Sequence, residues 1–473
     1  MIAPSLHPAH IRAICARRRQ WGFGLTPRAI VLLATGFALL LPGFWDSRLS
    51  YSMLVWDALI LVAALLDGLR LPPAQALTAT RTWSNAPALD SETEIELFLE
   101  NQGRVLLECR LLDDLPPDLT AQPTQLKLTV FPTAPASIRY RIVPLERGDC
   151  EAGPLYVRYR SPLGLAERWA QAPLTQSVRV YPALRTGEEQ QIFLTRSRQI
   201  DLQLRQARQR GLGRDFESLR DYREGDDLRD VCWTATARRG SLITRQYQTE
   251  RSQAVWIVLD CGRLMRSRVA ALAPPPSTPG TASPHLHSKL DHACSTAVAL
   301  AQLALYSGDR VGLLAYGQGI QQRLLPGRGA AHLRQLIELL AQVRAETSEA
   351  DHLRATAVLN RLQPRRSLIL WVTDLAETAL RPEVIDGAIQ LLRRHVLLFV
   401  AMAQPEVEQL AQIRPATVEE MFRAAAAQEM ATRRELLLAR LHEQGALTFD
   451  LNPESLTSSV LNQYLTVKER AMV

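Results

Sequence analysis

Three stretches of this chain hold residue types that could do chemistry. Asp291-His292 with Cys294 bring an acid, a base and a thiol close together, the ingredients of a cysteine nucleophile and hence of a hydrolase. They fall at the start of an amphipathic run, where helix packing accounts for the same residue types, and adjacency in sequence is not triad geometry. Gly211 and Gly213 could open a phosphate-binding turn. No strand precedes them, however, and a Gly-x-x-Gly continuation is missing. His285 and His287 lack the spacing of a metal site. The densest stretch runs from Gly211 to Arg238, where arginines and carboxylates alternate in near-equal number. Asp226 or Asp227, following Gly225, can cap a helix over residues 228–238 that buries Trp233. The surrounding charges then read as an ion-pair network pinning the segment to its neighbour.

These residues need elements to position them, and 473 residues are too many for one ordinary core, so two or more folded units are expected. A hydrophobic share of 47% against 22% charged is a globular balance, which excludes a disordered chain. The net charge of +7 is spread along the sequence apart from Arg17-Arg18-Arg19, which argues against a nucleic-acid binder. Six cysteines (Cys15, Cys109, Cys150, Cys232, Cys261 and Cys294) are scattered without a Cys-x-x-Cys pair. Reduced thiols are expected, with neither a disulfide framework nor a zinc site.

Residues 29–44 and 49–66 are apolar, separated by Pro42-Gly43 and the polar Asp46-Ser47-Arg48. Each is near the lower limit of about 17–25 residues that crosses a bilayer. Trp21, Phe23, Trp45 and Tyr51 stand at the ends, where amphipathic rings favour the interface. A cleaved signal sequence fits poorly, because no small-residue cleavage site follows the first segment. A buried soluble hairpin is the other alternative. Asp57 counts against a membrane, since a mid-helix carboxylate costs about 2.5–3.5 kcal/mol to insert, unless it faces the partner helix. The reading is a transmembrane hairpin over residues 28–67. Arg12, Arg17, Arg18, Arg19 and Arg28 precede it, Arg70 and Arg81 follow it, and the connecting loop has only Arg48. The positive-inside rule then puts both termini and the soluble domains on the cytoplasmic side of the inner (cytoplasmic) membrane.

Beyond Leu71-Pro72-Pro73 the pattern changes to short alternating runs at residues 94–99, 126–130, 137–142, 155–159 and 177–181, with turns between them. They predict a small immunoglobulin-like β-sandwich over residues 75–185. From residue 254 onward strands alternate with helices. Buried strands are expected at 254–259, 310–316, 367–372 and 395–401, and helices at 290–306, 331–343 and 355–362. This order predicts a doubly wound α/β domain whose ligand edge lies at the carboxyl ends of its strands. Residues 274–284, rich in Pro, Ser and Thr, interrupt the first crossover as a loop. Residues 404–473 read as a helical tail.

The run Arg220-Asp221-Tyr222-Arg223-Glu224-Gly225-Asp226-Asp227-Leu228-Arg229, followed by Trp233 and Ala237-Arg238, resembles the signature of the bacterial and archaeal "domain of unknown function 58" family. Cys232 stands where that family usually has Asp. The resemblance also covers the two apolar segments, the strand-rich region and the α/β domain. It implies a von Willebrand factor A-like domain over residues 251–403, preceded by a signature segment at 200–250. Arg220, Tyr222, Gly225, Asp226, Arg229, Trp233 and Arg238 become its partner-binding or structural residues. Such domains can hold Mg²⁺ with an Asp-x-Ser-x-Ser motif and a later Asp. Here Asp260-Cys261-Gly262-Arg263-Leu264 keeps the Asp and lacks both serines, while Asp374 matches the later one. A degenerate, metal-free site with no cofactor is expected. The resemblance further implies a non-enzymatic, membrane-anchored protein-interaction module partnering a MoxR-type AAA+ ATPase in assembly or maturation of other proteins. The alternatives are a hydrolase or a divergent metal-dependent adhesion protein.

Overall fold

Alternation explains the strands of the first unit. In Thr93–Asn101 the residues Ile95, Leu97 and Leu99 are fully buried while Glu94, Glu96, Phe98 and Glu100 are half-exposed, so one face packs and the other meets water. A computed structural model describes residues 11–17, 23–37, 51–122, 125–183, 195–196, 215–223, 231–248, 253–270, 286–375 and 383–470. It divides into two units, Met1–Ala183 and Leu184–Val473, with a mixed α/β content overall.

In the first unit, strands β1 (Ile11–Ile14), β2 (Ala16–Arg17) and β3 (Phe23–Leu25) lead into helix α1 (Pro27–Gly36). Helix α2 (Tyr51–Arg70) follows, then β4 (Leu77–Trp83), β5 (Thr93–Asn101), β6 (Leu107–Asp113), β7 (Leu119–Gln122) and β8 (Leu126–Val130). The unit ends with β9 (Ala136–Pro144), β10 (Gly148–Ala152), β11 (Leu155–Arg160), β12 (Ala166–Ala172) and β13 (Gln176–Val180). One antiparallel sheet has the order β1-β4-β5-β9-β7, and another β2-β12-β11-β6-β8 with β3 also on β12; β10 and β13 form a separate pair. The two larger sheets share one apolar core, in which Leu97 and Leu99 meet Leu111, Val157 and Tyr159. Within it, fully buried Arg81 is ion-paired with Asp113 and donates to Leu174 O (2.8 Å) and Gly153 O (2.9 Å), so its charge is neutralised internally.

The N-terminal segment, residues 1–27, read from the sequence as a cytoplasmic segment without marked elements, carries strands: β1 pairs with β4 while β2 and β3 pair with β12. The arm thus adds strands to both sheets. Of the arginines counted for topology, Arg12 pairs with Glu100 (2.5 Å), Arg81 of β4 lies in the core, and Arg28 and Arg70 are exposed.

Helix α2 is 20 residues long with a mean hydropathy of 1.9, long and apolar enough to cross a membrane. Leu54, Val55, Leu59 and Leu66 stay exposed on it, as do Ile30, Val31 and Phe37 on and next to α1. The two helices pack together. The Trp56 indole donates to Leu32 O (2.9 Å), and Asp57 faces α1 beside Gly36, its Oδ1 buried with no hydrogen-bond partner among the described residues. Residues 38–50 of the expected hairpin lie outside the described residues.

Both helices are fastened at the same place, the turn between β11 and β12. Thr26, the N-cap of α1, donates its hydroxyl to Gly164 O (2.5 Å) and its N–H to Leu165 O (3.1 Å). Asp67, in the last turn of α2, accepts from Ser161 Oγ (2.5 Å) and from the N–H groups of Leu165 and Ala166 (3.1 Å each). Gly68 permits the close approach, because a Cβ there would lie 2.0 Å from the Phe23 ring. A carboxylate placed near a helix C-terminus opposes the macrodipole, so these three donors must offset that cost.

In the second unit, β14 (Asp215–Asp221) and β15 (Ile243–Gln248) pair antiparallel, with helix α3 (Trp233–Arg239) between them in sequence. The main sheet uses β16 (Ala254–Asp260), β19 (Arg310–Tyr316), β20 (Ile320–Gly327), β21 (Leu368–Thr373), β22 (Val396–Met402) and β23 (Leu447–Leu451); the short β17 (Arg268–Ala270) and β18 (Leu286–Ser288) pair apart from it. Its order is β20-β19-β16-β21-β22-β23, parallel except for β20. Helices α4 (Lys289–Tyr306), α5 (Gly329–Gln342), α6 (His352–Leu362) and α7 (Glu383–Leu392) occupy the crossovers. Then come α8 (Pro405–Gln412), α9 (Val418–Glu443) and α10 (Pro453–Glu469). The sheet therefore reverses its winding between β16 and β21.

Residues 404–473 are not a tail. β23 extends the parallel sheet beside β22, and α10 packs on α4. Asp309 fixes that helix by accepting from Tyr464 Oη (2.6 Å) and Lys468 Nζ (3.4 Å). A five-residue strand following a helix of 26 residues carries too little periodicity to stand out in sequence.

Replacing Asp67 with alanine strips the acceptor from three donors on the β11–β12 turn. We expect unfolding of the detergent-solubilised chain to show a loss of about 3 kcal/mol, the scale of leaving buried donors unpaired.

Candidate functional site

The reversal point of the parallel sheet places Asp260 and Asp374 next to each other in the fold, since β16 and β21 are neighbours and both residues stand at carboxyl ends. Both are buried, at 3% exposure. Asp260 Oδ1 accepts from the Gly262 N–H (2.7 Å) and Oδ2 from Thr373 Oγ1 (2.6 Å). Burial holds the Asp260 carboxyl above its ordinary range, with His352 acting in the opposite direction. His352 sits in an aromatic cluster: its Nδ1 is 2.9 Å from Tyr316 Oη, which accepts from the Trp371 indole (2.7 Å).

Asp374 is surrounded by cations. Oδ2 accepts from Lys289 Nζ (2.7 Å) and Gln404 Nε2 (3.0 Å), and Oδ1 from Arg434 Nη1 (2.9 Å). Arg434 reaches on to Asp450 through Nε (2.7 Å) and Nη2 (2.8 Å), tying α9 to β21 and β23 together. Lys289 is fully buried and also donates to Met402 O (3.3 Å). Burial pulls its ammonium below its ordinary range, and Asp374 resists that.

Neither Lys289 nor Arg434 was singled out in the sequence. Lys289 did leave a signal. It opens α4 directly after Ser288, which forms a reciprocal capping box with Asp291. A cation in the first turn of a helix opposes the macrodipole, so a lysine there needs a nearby anion. Arg434 leaves none, being one of several arginines along the charged helix α9.

The residues present do not fit a hard octahedral cation, which wants several oxygen ligands. Asp374 already accepts from an ammonium and a guanidinium. The position of the first missing serine is sterically closed, because a Cβ on Gly262 would lie 2.9 Å from the backbone N of Ala350. Among the described residues, no group of three or more His, Cys, Asp or Glu side chains is placed to hold a metal. Cys294 is fully buried inside α4, where no substrate reaches it.

The signature residues separate. Arg220 lies on β14 and Tyr222 just after it, both half-buried; Trp233 and Arg238 lie on α3. The helix begins at Trp233, not Leu228, because Val231 bridges to Thr244 and Cys232 is the N-cap. Trp233 is 64% exposed rather than buried, since it occupies the outward side of the first turn of this short helix. Gly211, Gly213, Gly225, Asp226 and Arg229 lie outside the described residues, as do residues 274–284.

The raised Asp260 carboxyl has a definite pH signature. Below about 3.8, its ordinary value, both folded and unfolded chains hold the proton. Above that, the unfolded chain ionises first, so the folded state loses stability until pH passes the raised folded-state value. Melting curves of wild type and Asp260→Asn from pH 4 to 8 should show the asparagine chain gaining relative stability as pH rises. A constant difference would contradict this.

Among curated proteins none matches the chain. Of solved structures, BatB from Bacteroides thetaiotaomicron, a conserved hypothetical protein, is 13% identical, covering 46% of this chain and 100% of its own, with a TM-score of 0.29. The SpRpn10 VWA domain is 12% identical over 45% of this chain and 95% of its own (TM-score 0.25). An uncharacterized membrane spanning protein from Vibrio fischeri is 14% identical over 45% and 96% (TM-score 0.17). Residues 218–436 match the family described as "Protein of unknown function DUF58". That span begins in β14 and ends in α9, so Asp260, Lys289, Asp374 and Arg434 all lie within the matched residues.

Proposed function

We propose that this chain is a membrane-anchored, non-enzymatic protein-interaction module whose soluble units lie in the cytoplasm. The observation that carries this reading is the fastening of both apolar helices to one turn. The start of α1 and the end of α2 meet at residues 161–166, so the chain leaves and returns on the same side, as a two-helix transmembrane hairpin requires. The exposed leucines and valines of α2 then face lipid, and Asp57 faces α1. Exposed Arg28 and Arg70, at the soluble ends of the helices, favour the cytoplasmic side. The two-sheet unit is read as an immunoglobulin-like sandwich at the base of this anchor.

The binding role is supported by what the carboxyl edge offers. Its carboxylates are engaged internally, so it presents shape rather than a reactive group. Beside Asp374, a cavity of about 270 Å³ is lined by Leu375, Val407, Met430 and Arg434. On the first turns of α9, Val418, Met421 and Phe422 share a face and are 69%, 50% and 68% exposed. Apolar side chains displayed in this way suit protein contact. The partner we propose is a MoxR-type AAA+ ATPase, with a role in assembly or maturation of other proteins. Mg²⁺ on this chain has no part in the reading.

Two measurements test it. Five of the six native cysteines are buried and Cys150 is half-buried, which gives a low labelling background. In intact cells a membrane-impermeant maleimide should label Ser47→Cys, in the connecting loop, and label Gln318→Cys only after permeabilisation. The reverse pattern overturns the orientation. Affinity capture from solubilised membranes, with and without ATP and Mg²⁺, should recover an AAA+ ATPase, and at least five-fold less of it with Met421→Ser/Phe422→Ser. Recovery of no ATPase in either nucleotide condition overturns the partnership.

A further inference from the structure

A cavity of about 380 Å³ lies in the first unit, on the outer face of the β8-β6-β11-β12 strands, with Pro27 and Arg28 of α1 in its wall. Its charge is one-sided. Five cationic side chains and two carboxylates line it, an excess of three positive charges. Strand register makes the arrangement specific. Arg158 is paired across β11 and β6 with Arg110, and Arg110 across β6 and β8 with Lys127, so three cations stand in one cross-strand row. Like charges directly opposite in a sheet are destabilising. Glu167 neutralises Arg158 at one end of the row (2.6 Å), and Glu108 pairs with Arg160 outside it (2.7 Å), which leaves Arg110 and Lys127 facing each other uncompensated. Arg110, Lys127 and Arg28 are exposed and have no carboxylate partner among the described residues.

Such a row is tolerated where an anion completes it. Guanidinium groups bind phosphate oxygens through paired N–H donors, and an ammonium adds a point charge. The start of a ten-residue helix in the wall adds favourable backbone polarity. Position identifies the source of the phosphate. Arg28 is in the first turn of α1, and Ile30 and Val31 directly beyond it are 56% and 61% exposed, so the cavity opens where apolar helix surface begins. The geometry points to a binding site for the phosphate of an anionic phospholipid headgroup, at the membrane face from which the helices depart. This rests on the transmembrane reading above.

The test uses the full chain in non-ionic detergent, titrated calorimetrically with short-chain phosphatidylglycerol, short-chain phosphatidylcholine and inorganic phosphate. Phosphatidylglycerol should bind, more weakly as salt rises, with phosphatidylcholine and inorganic phosphate each at least ten-fold weaker. Arg110→Ala/Lys127→Ala should weaken phosphatidylglycerol at least ten-fold. It should also raise the unfolding temperature of the lipid-free chain, because the like-charge row is gone. If that variant does not fold, Arg28→Gln at its exposed helix position carries the comparison, with a loss of at least three-fold. Equal binding by wild type and variant overturns the site, as does equal affinity for phosphatidylcholine. Inorganic phosphate binding as tightly as phosphatidylglycerol overturns the lipid as its source. Carbonate extraction of native membranes reads the anchor separately. Release of the chain there would defeat the transmembrane reading while the titration still reports on the cavity.

Discussion

The carboxylate of Asp67 is the contact on which the first unit depends. It lies in the last turn of a helix that is otherwise almost uniformly apolar, and it accepts from a hydroxyl and two backbone N–H groups of one β-turn. A helix pair with exposed leucine and valine side chains could lie against a β unit in many orientations, because apolar contact is non-directional. Three charge-assisted hydrogen bonds remove that freedom. With Thr26 on the same turn, they make the helices a rigid extension of strands β11 and β12 rather than a tethered pair.

A comparable device closes the second unit. Asp374 stands at the sheet's reversal point, where α/β proteins usually meet their ligands. Here the chain supplies its own cations, Lys289 from the first turn of α4 and Arg434 from α9. Removing two charges from water is costly, and the attraction repays it only with good geometry and further hydrogen bonds. Met402 O, Gln404 and Asp450 provide those. The outcome is a fixed position for α9 and the strand after it, which is how an edge built for ligands becomes a structural joint.

Much of this was legible in the sequence, and the misses share a cause. The buried strands β16, β19, β21 and β22 are continuous apolar runs between helical patterns, and each lies within a residue or two of its expected place. Strands β1 to β3 have two to four residues each, with Arg12 and Arg17 among them, so no alternation marks them. Their pairing is dictated by β4 and β12, far along the chain. β23 was hidden for the same reason. At the site, Asp260 and Asp374 stood out because strand ends are readable. The partners of Asp374 did not, since a lysine and an arginine on distant helices meet it only in three dimensions. Trp233 shows the converse: a large aromatic on a helix reads as core, yet this helix is only seven residues long and leaves it outside.

The arm formed by β1 to β3 has a consequence for how the protein can be divided. It occupies the open edges of β4 in one sheet and β12 in the other, yet it precedes both apolar helices in the chain. A chain shortened to begin after α2 would therefore lose more than its apolar helices. It would expose unpaired N–H and C=O groups along two strands at once, a template for edge-to-edge association. Strands β2 and β3 also pair only with β12, about 140 residues further along the chain, so their contacts are of high sequence separation. Apolar helices and β unit are thus one folding problem, separable on paper at residue 70 but not in the molecule.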